Sequence, residues 1–205
     1  MPILKVIIPA YNEADSIAKV IHDIPKTVNE IIVVNNNSTD ATEVNAKQAG
    51  ATVLTESRKG YGYACLKGMA YVSKQKIKPD IVVFLDGDYS DFPEELTKIV
   101  QPIIEDNIDF VIGARVKRLR EPGSMTQPQI FGNWLATFKY QKLLALKMED
   151  KTYGWTVEMQ LKALKQKLSY IEIPVSYRNR IGVSKVSGTL NGAIMAGIKI
   201  LGWIF

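Results

Sequence analysis

The stretch that most limits how this chain can fold is Asp80-Ile81-Val82-Val83-Phe84-Leu85. After its first residue it is apolar, rich in β-branched side chains, and free of Gly and Pro. It does not alternate with polar residues, so both of its faces must be covered. That is the signature of a central strand in a largely parallel sheet with helices on each side. Asp86-Gly87-Asp88 follows directly. Side chains alternate along an extended chain, so Asp86 and Asp88 can point the same way at the strand's carboxyl end. Gly87 permits a sharp turn and leaves room for a ligand. Two hard oxygen donors in such a place suit Mg²⁺ or Mn²⁺, which take few protein carboxylates and complete their shells with water and phosphate oxygens. The same three residues also read as an ordinary turn, because Asp and Gly are common turn formers.

The segments before and after that strand repeat its grammar. Residues 3–8 predict a strand ended by Pro9, and residues 14–24 a helix with Ile17, Val20, Ile21 and Ile24 on one face, stopped by Pro25. Residues 30–34 and 51–54 predict two more strands. Between them lies a helix that Asp40 can cap and Gly50 can close. Gly60-Tyr61-Gly62 leads into a helix reaching about residue 75, Pro93-Glu94-Glu95 opens another, and residues 108–113 predict a fifth strand. Alternating strands and helices mean an α/β fold with a mostly parallel sheet, and ligands of such sheets bind where the strands end. Three polar loops converge there: Pro9-Ala10-Tyr11-Asn12-Glu13, the run Asn35-Asn36-Asn37-Ser38-Thr39-Asp40, and the Asp86-Gly87-Asp88 segment.

Composition narrows the chemistry. One cysteine, Cys65, allows no internal disulfide and excludes a Cys-based metal site, and its use fits a reducing compartment. One histidine, His22, rules out a multi-His zinc site. The net charge of +5 favours phosphorylated ligands or an anionic membrane surface and does not specify nucleic acid. No signal peptide pattern precedes the first strand.

Ile7-Ile8-Pro9-Ala10-Tyr11-Asn12-Glu13, Asn35 to Asp40, Arg58-Lys59-Gly60-Tyr61-Gly62 and Asp86-Gly87-Asp88 occur in an order that resembles the family 2 glycosyltransferases of the Rossmann-like GT-A fold. The dolichyl- and polyprenyl-phosphate sugar transferases are the branch in view. Gly113-Ala114-Arg115, Phe131-Gly132-Asn133, the run from Tyr153 to Gln160, and Arg180-Ile181-Gly182-Val183-Ser184-Lys185 extend the likeness over residues 3 to about 201. The resemblance implies metal-dependent, inverting transfer of a hexose from a UDP- or GDP-linked donor to a polyprenyl phosphate. A saccharide or other hydroxyl acceptor is the alternative, and a nucleotide-sugar binder without catalysis another.

Residue roles follow from the resemblance. Pro9, Tyr11 and Glu13 would hold the base and ribose, with Asn35 where relatives usually carry Asp, and Asp40 in the same loop. Lys59 would approach the diphosphate and Gly60 would keep backbone clear of it. Asp86 and Asp88 would bind the metal, Asp88 foremost. Arg115, Arg180 and Lys185 would hold the acceptor phosphate, with Ser184 and Ser187 as hydroxyl donors. Glu158, on a predicted helix over residues 156–166, would be the general base if the acceptor is a hydroxyl. Ile130 replaces an Arg common in relatives, and the stretch between Phe138 and Lys147 is shorter than theirs.

Residues 1–187 are thus expected to form the GT-A domain and residues 188–205 an apolar C-terminal helix. That segment is short for a membrane span and carries Lys199. An interfacial helix or the stub before an anchor, with Trp203 at the interface, is one reading; a core helix is the other. The first places the protein at the cytoplasmic face of a membrane.

Overall fold

The computed structural model describes residues 1–124, 135–152, 154–182 and 202. The expected strands form as β1 (Leu4–Ala10), β2 (Glu30–Asn35), β3 (Thr52–Thr55), β4 (Ile81–Phe84) and β5 (Phe110–Ala114). Two strands not anticipated from the sequence, β6 (Leu135–Lys139) and β7 (Tyr170–Pro174), join them in one sheet of order β3-β2-β1-β4-β6-β5-β7. Every neighbouring pair is parallel except the two that involve β6, which runs antiparallel to both β4 and β5. The fold is therefore α/β with a mostly parallel sheet, as expected. β6 was hard to see because Ala136 and Lys139 are weak strand formers, and burial between two strands overrides that preference. Phe138 stacks on its register partner Phe110 with ring centroids 4.0 Å apart.

The helices are α1 (Ile17–Asp23), α2 (Thr42–Gln48), α3 (Tyr61–Lys74), α4 (Leu96–Glu105), α5 (Tyr140–Ala145) and α6 (Trp155–Lys165). The strand period of two sorts the core into two layers. Val6, Ile8, Val33 and Val83 pack with Ile17, Val20, Ile21, Ile99 and Ile103 of α1 and α4. Ile7, Ile32, Val34, Val82 and Phe84 face the other way, onto Ala64, Cys65 and Val72 of α3 and Trp155 and Met159 of α6.

β1 does not stop at Pro9. It runs through the buried Pro9 to Ala10, with Pro9 in register with Val34 of β2. On its other side, Leu85 N donates to Ile7 O at 3.1 Å. Pro9 has no N–H to carry that ladder further. Pairing with β4 thus ends where the chain turns off toward Asp86.

Candidate active site

β2, β1 and β4 are neighbours, so their three loops emerge side by side at one edge. The first two loops are sewn together. Asn36 N donates to Ala10 O, Asn12 N to the Ser38 hydroxyl, and Glu13 N to the Thr42 hydroxyl, over 2.8–3.0 Å. Asn12 and Asn37 take left-handed backbone with φ near 53° and 64°, a conformation that Asn tolerates well.

This stitching uses up two residues that resemblance assigned to the nucleotide. Asn35 is buried; its Oδ1 accepts from Ser38 N at 3.0 Å and its amide donates to Glu43 at 2.8 Å. Asp40 accepts from Thr42 N at one oxygen and from Ala14 N at the other. Burial pushes the Asp40 carboxyl up, but the hydrogen bonds from Thr42 and Ala14 hold it below its usual value. Both residues shape the loop, and Pro9 lies inside the strand. Lys59 Nζ lies 5.4 Å from the centroid of the Tyr11 ring, and the Glu13 side chain packs beside Gly87. Gly87 itself has no left-handed φ, and a Cβ there would make ordinary contacts of 3.5–3.6 Å with Ile17, Ile8 and Glu13. The chain does bend at Gly87, as expected, and goes on bending through Tyr89, which takes a left-handed φ of 62°.

The aspartates sit in a network of charges. Asp86 Oδ1 accepts from the Tyr61 hydroxyl at 3.2 Å, and its Oδ2 lies 3.5 Å from Arg115. Asp88 Oδ1 accepts from Ser90 N at 3.0 Å and from the Ser90 hydroxyl at 2.5 Å. Its Oδ2 pairs with Arg180. Burial, with the nearby Asp88 charge, raises the Asp86 carboxyl to about 7. Arg115 does not stand ready for an incoming phosphate as resemblance implied. Its guanidinium, only 3% exposed, grips both oxygens of Asp91 at 2.9 Å and lies 4.1 Å over the Tyr177 ring. Such a buried bidentate pair is costly to break, because either partner alone would be an uncompensated charge. Arg115 thus anchors the aspartate loop. Three carboxylates (Asp86, Asp88 and Asp91) face two guanidiniums.

The donor set fits a hard divalent cation. Asp86 and Asp88 bring carboxylate oxygens to one strand end, and the described residues contain no cluster of three or more His, Cys, Asp or Glu side chains that could hold a metal alone. A bound Mg²⁺ or Mn²⁺ would need water and substrate oxygens to complete its shell, as these ions do at nucleotide sites.

A second loop decides the start of α3. Glu158, fully buried on α6, accepts from Glu149 N and Asp150 N, each at 2.7 Å, and pairs with Lys162 at 2.7 Å. Its carboxylate is committed to the loop before α6 and is not in position to deprotonate an acceptor. That loop crosses α3 so closely that a Cβ on Gly60 would lie 2.2 Å from Lys151 O, and one on Gly62 2.1 Å from Asp150 O. The two glycines therefore make room for protein backbone. Gly60, with φ of 149°, also takes a conformation that other residues avoid.

Several working residues were not picked out from the sequence. Asn36 bonds Glu56 O, Arg58 O and Gly60 N, which fixes the loop carrying Lys59. Arg178 packs 3.4 Å from the Tyr89 ring centroid and donates to Tyr89 O and Asp91 O. Asp91, Tyr61 and Tyr177 complete the set. Asp91 alone had a visible signal, as a third acid shortly after the Asp86-Gly87-Asp88 segment. Ser184, Lys185, Ser187, Ile130 and, apart from Gly202, the 188–205 segment lie outside the described residues. Among the described residues no helix is long and apolar enough to cross a membrane.

Comparison with known proteins adds to this geometry. The family model described as Glycosyl transferase family 2 matches residues 5–164. An uncharacterised glycosyltransferase of Mycobacterium tuberculosis is 31% identical over 93% of each chain. The UDP-N-acetylglucosamine–dolichyl-phosphate N-acetylglucosaminyltransferase of Methanococcus voltae is 26% identical over 84% of each chain. Among solved structures, glucosyl-3-phosphoglycerate synthase of M. tuberculosis, in complex with Mn²⁺, UDP and glucosyl-3-phosphoglycerate, aligns with a TM-score of 0.76. The alignment covers 99% of this chain and 78% of that one at 20% identity, a likeness of fold.

Proposed function

The chain belongs to glycosyl transferase family 2, and from that premise we propose that it transfers a hexose, with inversion, from a UDP- or GDP-linked donor to a polyprenyl phosphate. The observation that carries this reading is the placement of Asp86 and Asp88 at the end of β4, beside Tyr11, Glu13 and Lys59 on the neighbouring loops. Tyr11 offers a flat ring for the base, Glu13 an acceptor for ribose or base N–H groups, and Lys59 a cation for the diphosphate. Asp88, steadied by Ser90, and Asp86, steadied by Tyr61, would hold a divalent metal. When bound, that ion stabilises the negative charge that develops on the leaving nucleoside diphosphate.

The acceptor assignment is supported by the state of Glu158. With both its oxygens bonded to backbone N–H groups, it leaves no base where the sequence suggested one. A phosphate acceptor is already ionised and needs none. The named activity of the M. voltae relative supports the same acceptor class. The reading places the reaction at the cytoplasmic face of a membrane, in keeping with a net charge of +5 and one cysteine. The test is transfer of radiolabelled sugar from a panel of UDP- and GDP-sugars, with Mn²⁺, to polyprenyl phosphate in detergent, scored by extraction into organic solvent. Label in the organic phase supports the proposal. Transfer only to a water-soluble hydroxyl acceptor refutes the polyprenyl phosphate.

A further inference from the structure

We propose that Arg180 is a built-in counter-cation of the metal site: it occupies Asp88 Oδ2 in the metal-free protein and gives that oxygen up when the metal binds. The inference rests on the metal-dependent donor reading above and adds a competitor to it.

Ser90 holds Asp88 Oδ1 through both its N–H and its hydroxyl, so Oδ2 is the oxygen that Asp88 presents. The Arg180 guanidinium sits on that oxygen. A guanidinium and a divalent cation repel each other, and one carboxylate oxygen cannot serve both at full strength.

Of the two guanidiniums that face these carboxylates, Arg180 is the more loosely held, through Asp88 and a hydrogen bond to Tyr177. Arg115 is 3% exposed and locked on Asp91, whereas the Arg180 side chain is 27% exposed. The backbone beneath Arg180 is fixed: Ile181 N donates to Asp88 O at 3.0 Å, and Arg178 N to Ser90 O at 2.9 Å. Arg178 also clamps the aspartate loop through Tyr89 O and Asp91 O. The side chain can therefore swing on its flexible stem while the loop that carries it stays docked.

The pairing gives the exchange a purpose. Asp88 is largely buried beside Asp86 and Asp91, and Arg180 offsets its charge in the metal-free site. Arg180 keeps the ligands assembled until the metal arrives. Once released, it lies at the mouth of the site, where anionic oxygens of the donor or acceptor can bind it.

The test measures Mn²⁺ binding to the protein without nucleotide, by the electron paramagnetic resonance signal of free Mn²⁺. The variants are Arg180→Met, which keeps the stem and removes the charge, and Arg180→Lys, which keeps a weaker cation. Arg180→Met is expected to bind Mn²⁺ about tenfold more tightly than wild type, with Arg180→Lys in between. The gain should vanish when Asp88→Asn is added. Without metal, Arg180→Met should also melt below wild type and be raised more by Mn²⁺. Mn²⁺ binding in Arg180→Met that is no tighter than in wild type overturns the inference. That result leaves the functional reading standing as long as wild-type transfer still needs Mn²⁺; metal-independent transfer would fail the reading itself.

Discussion

The Tyr61 hydroxyl donates to Asp86 Oδ1 across 3.2 Å, joining the first turn of α3 to the end of β4 at the aspartates. The contact runs through a crowded path. Glu158 holds the 149–151 backbone, that backbone lies against Gly60 and Gly62, and Tyr61 sits between the two glycines. Tyr61→Phe should keep the fold, since it removes only hydrogen bonds of the hydroxyl, that to Asp86 worth about 1 kcal/mol. It should raise the Mn²⁺ concentration needed for half-maximal transfer by several-fold, about the same energy. Rates measured against Mn²⁺ at fixed donor check this, and an unchanged metal requirement removes Tyr61 from the site.

Asp88→Asn should leave the melting temperature close to wild type, because the amide keeps an acceptor for Ser90. Transfer should fall by roughly a thousand-fold, equivalent to about 4 kcal/mol of transition-state stabilisation. Initial rates with saturating Mn²⁺ and donor provide the measurement. Wild-type rates in this variant, or in the native protein with EDTA, would contradict the metal role.

Glu158→Ala should act on stability. It strands two backbone donors, each costing about 1–3 kcal/mol, and removes the carboxylate that pairs with Lys162 at 2.7 Å. Glu158→Gln keeps a carbonyl acceptor for one N–H and should recover part of the loss. Denaturant unfolding of both variants, alongside transfer rates per folded molecule, separates this from catalysis. A full melting temperature with a hundred-fold lower rate would restore Glu158 as a base.

Asp86 predicts a pH effect in the metal-free protein. Burial and the Asp88 charge raise its carboxyl to about 7 from an ordinary value of 3.8. The native state then binds a proton that the unfolded chain releases, so stability falls as pH rises between these two values. Melting in EDTA should be highest near pH 4–5 within that window and decline toward pH 7 by an amount on the order of a few kcal/mol. Asp86→Asn should flatten the slope, and melting that is flat with pH in the wild type would count against a carboxyl raised by burial.

What the sequence determined by itself was local and periodic. The non-alternating run before Asp86 required a strand covered on both faces, and the alternation of strand and helix signals required a mostly parallel sheet. The carboxyl edge of that sheet then had to collect the loops carrying Tyr11 and Asp86. All of this is encoded in residues close to one another along the chain. Tertiary structure decided which polar groups remain for chemistry. Asn35 and Asp40 look like ligands in sequence, yet Asn35 is bonded within its own loop and to α2, and Asp40 also accepts from Ala14 N of the neighbouring loop. Glu158 reads as a first-turn acid, and only the return of the 149–151 loop turns it into a buried anchor. Gly60 and Gly62 owe their presence to backbone that crosses them from far along the chain. Arg180 meets Asp88 only because β7 pairs beside β5 and delivers the following loop onto the aspartates. A pattern of spacing marks which groups could react, but the partner that already occupies each one is set by packing between distant segments, and no local pattern records it.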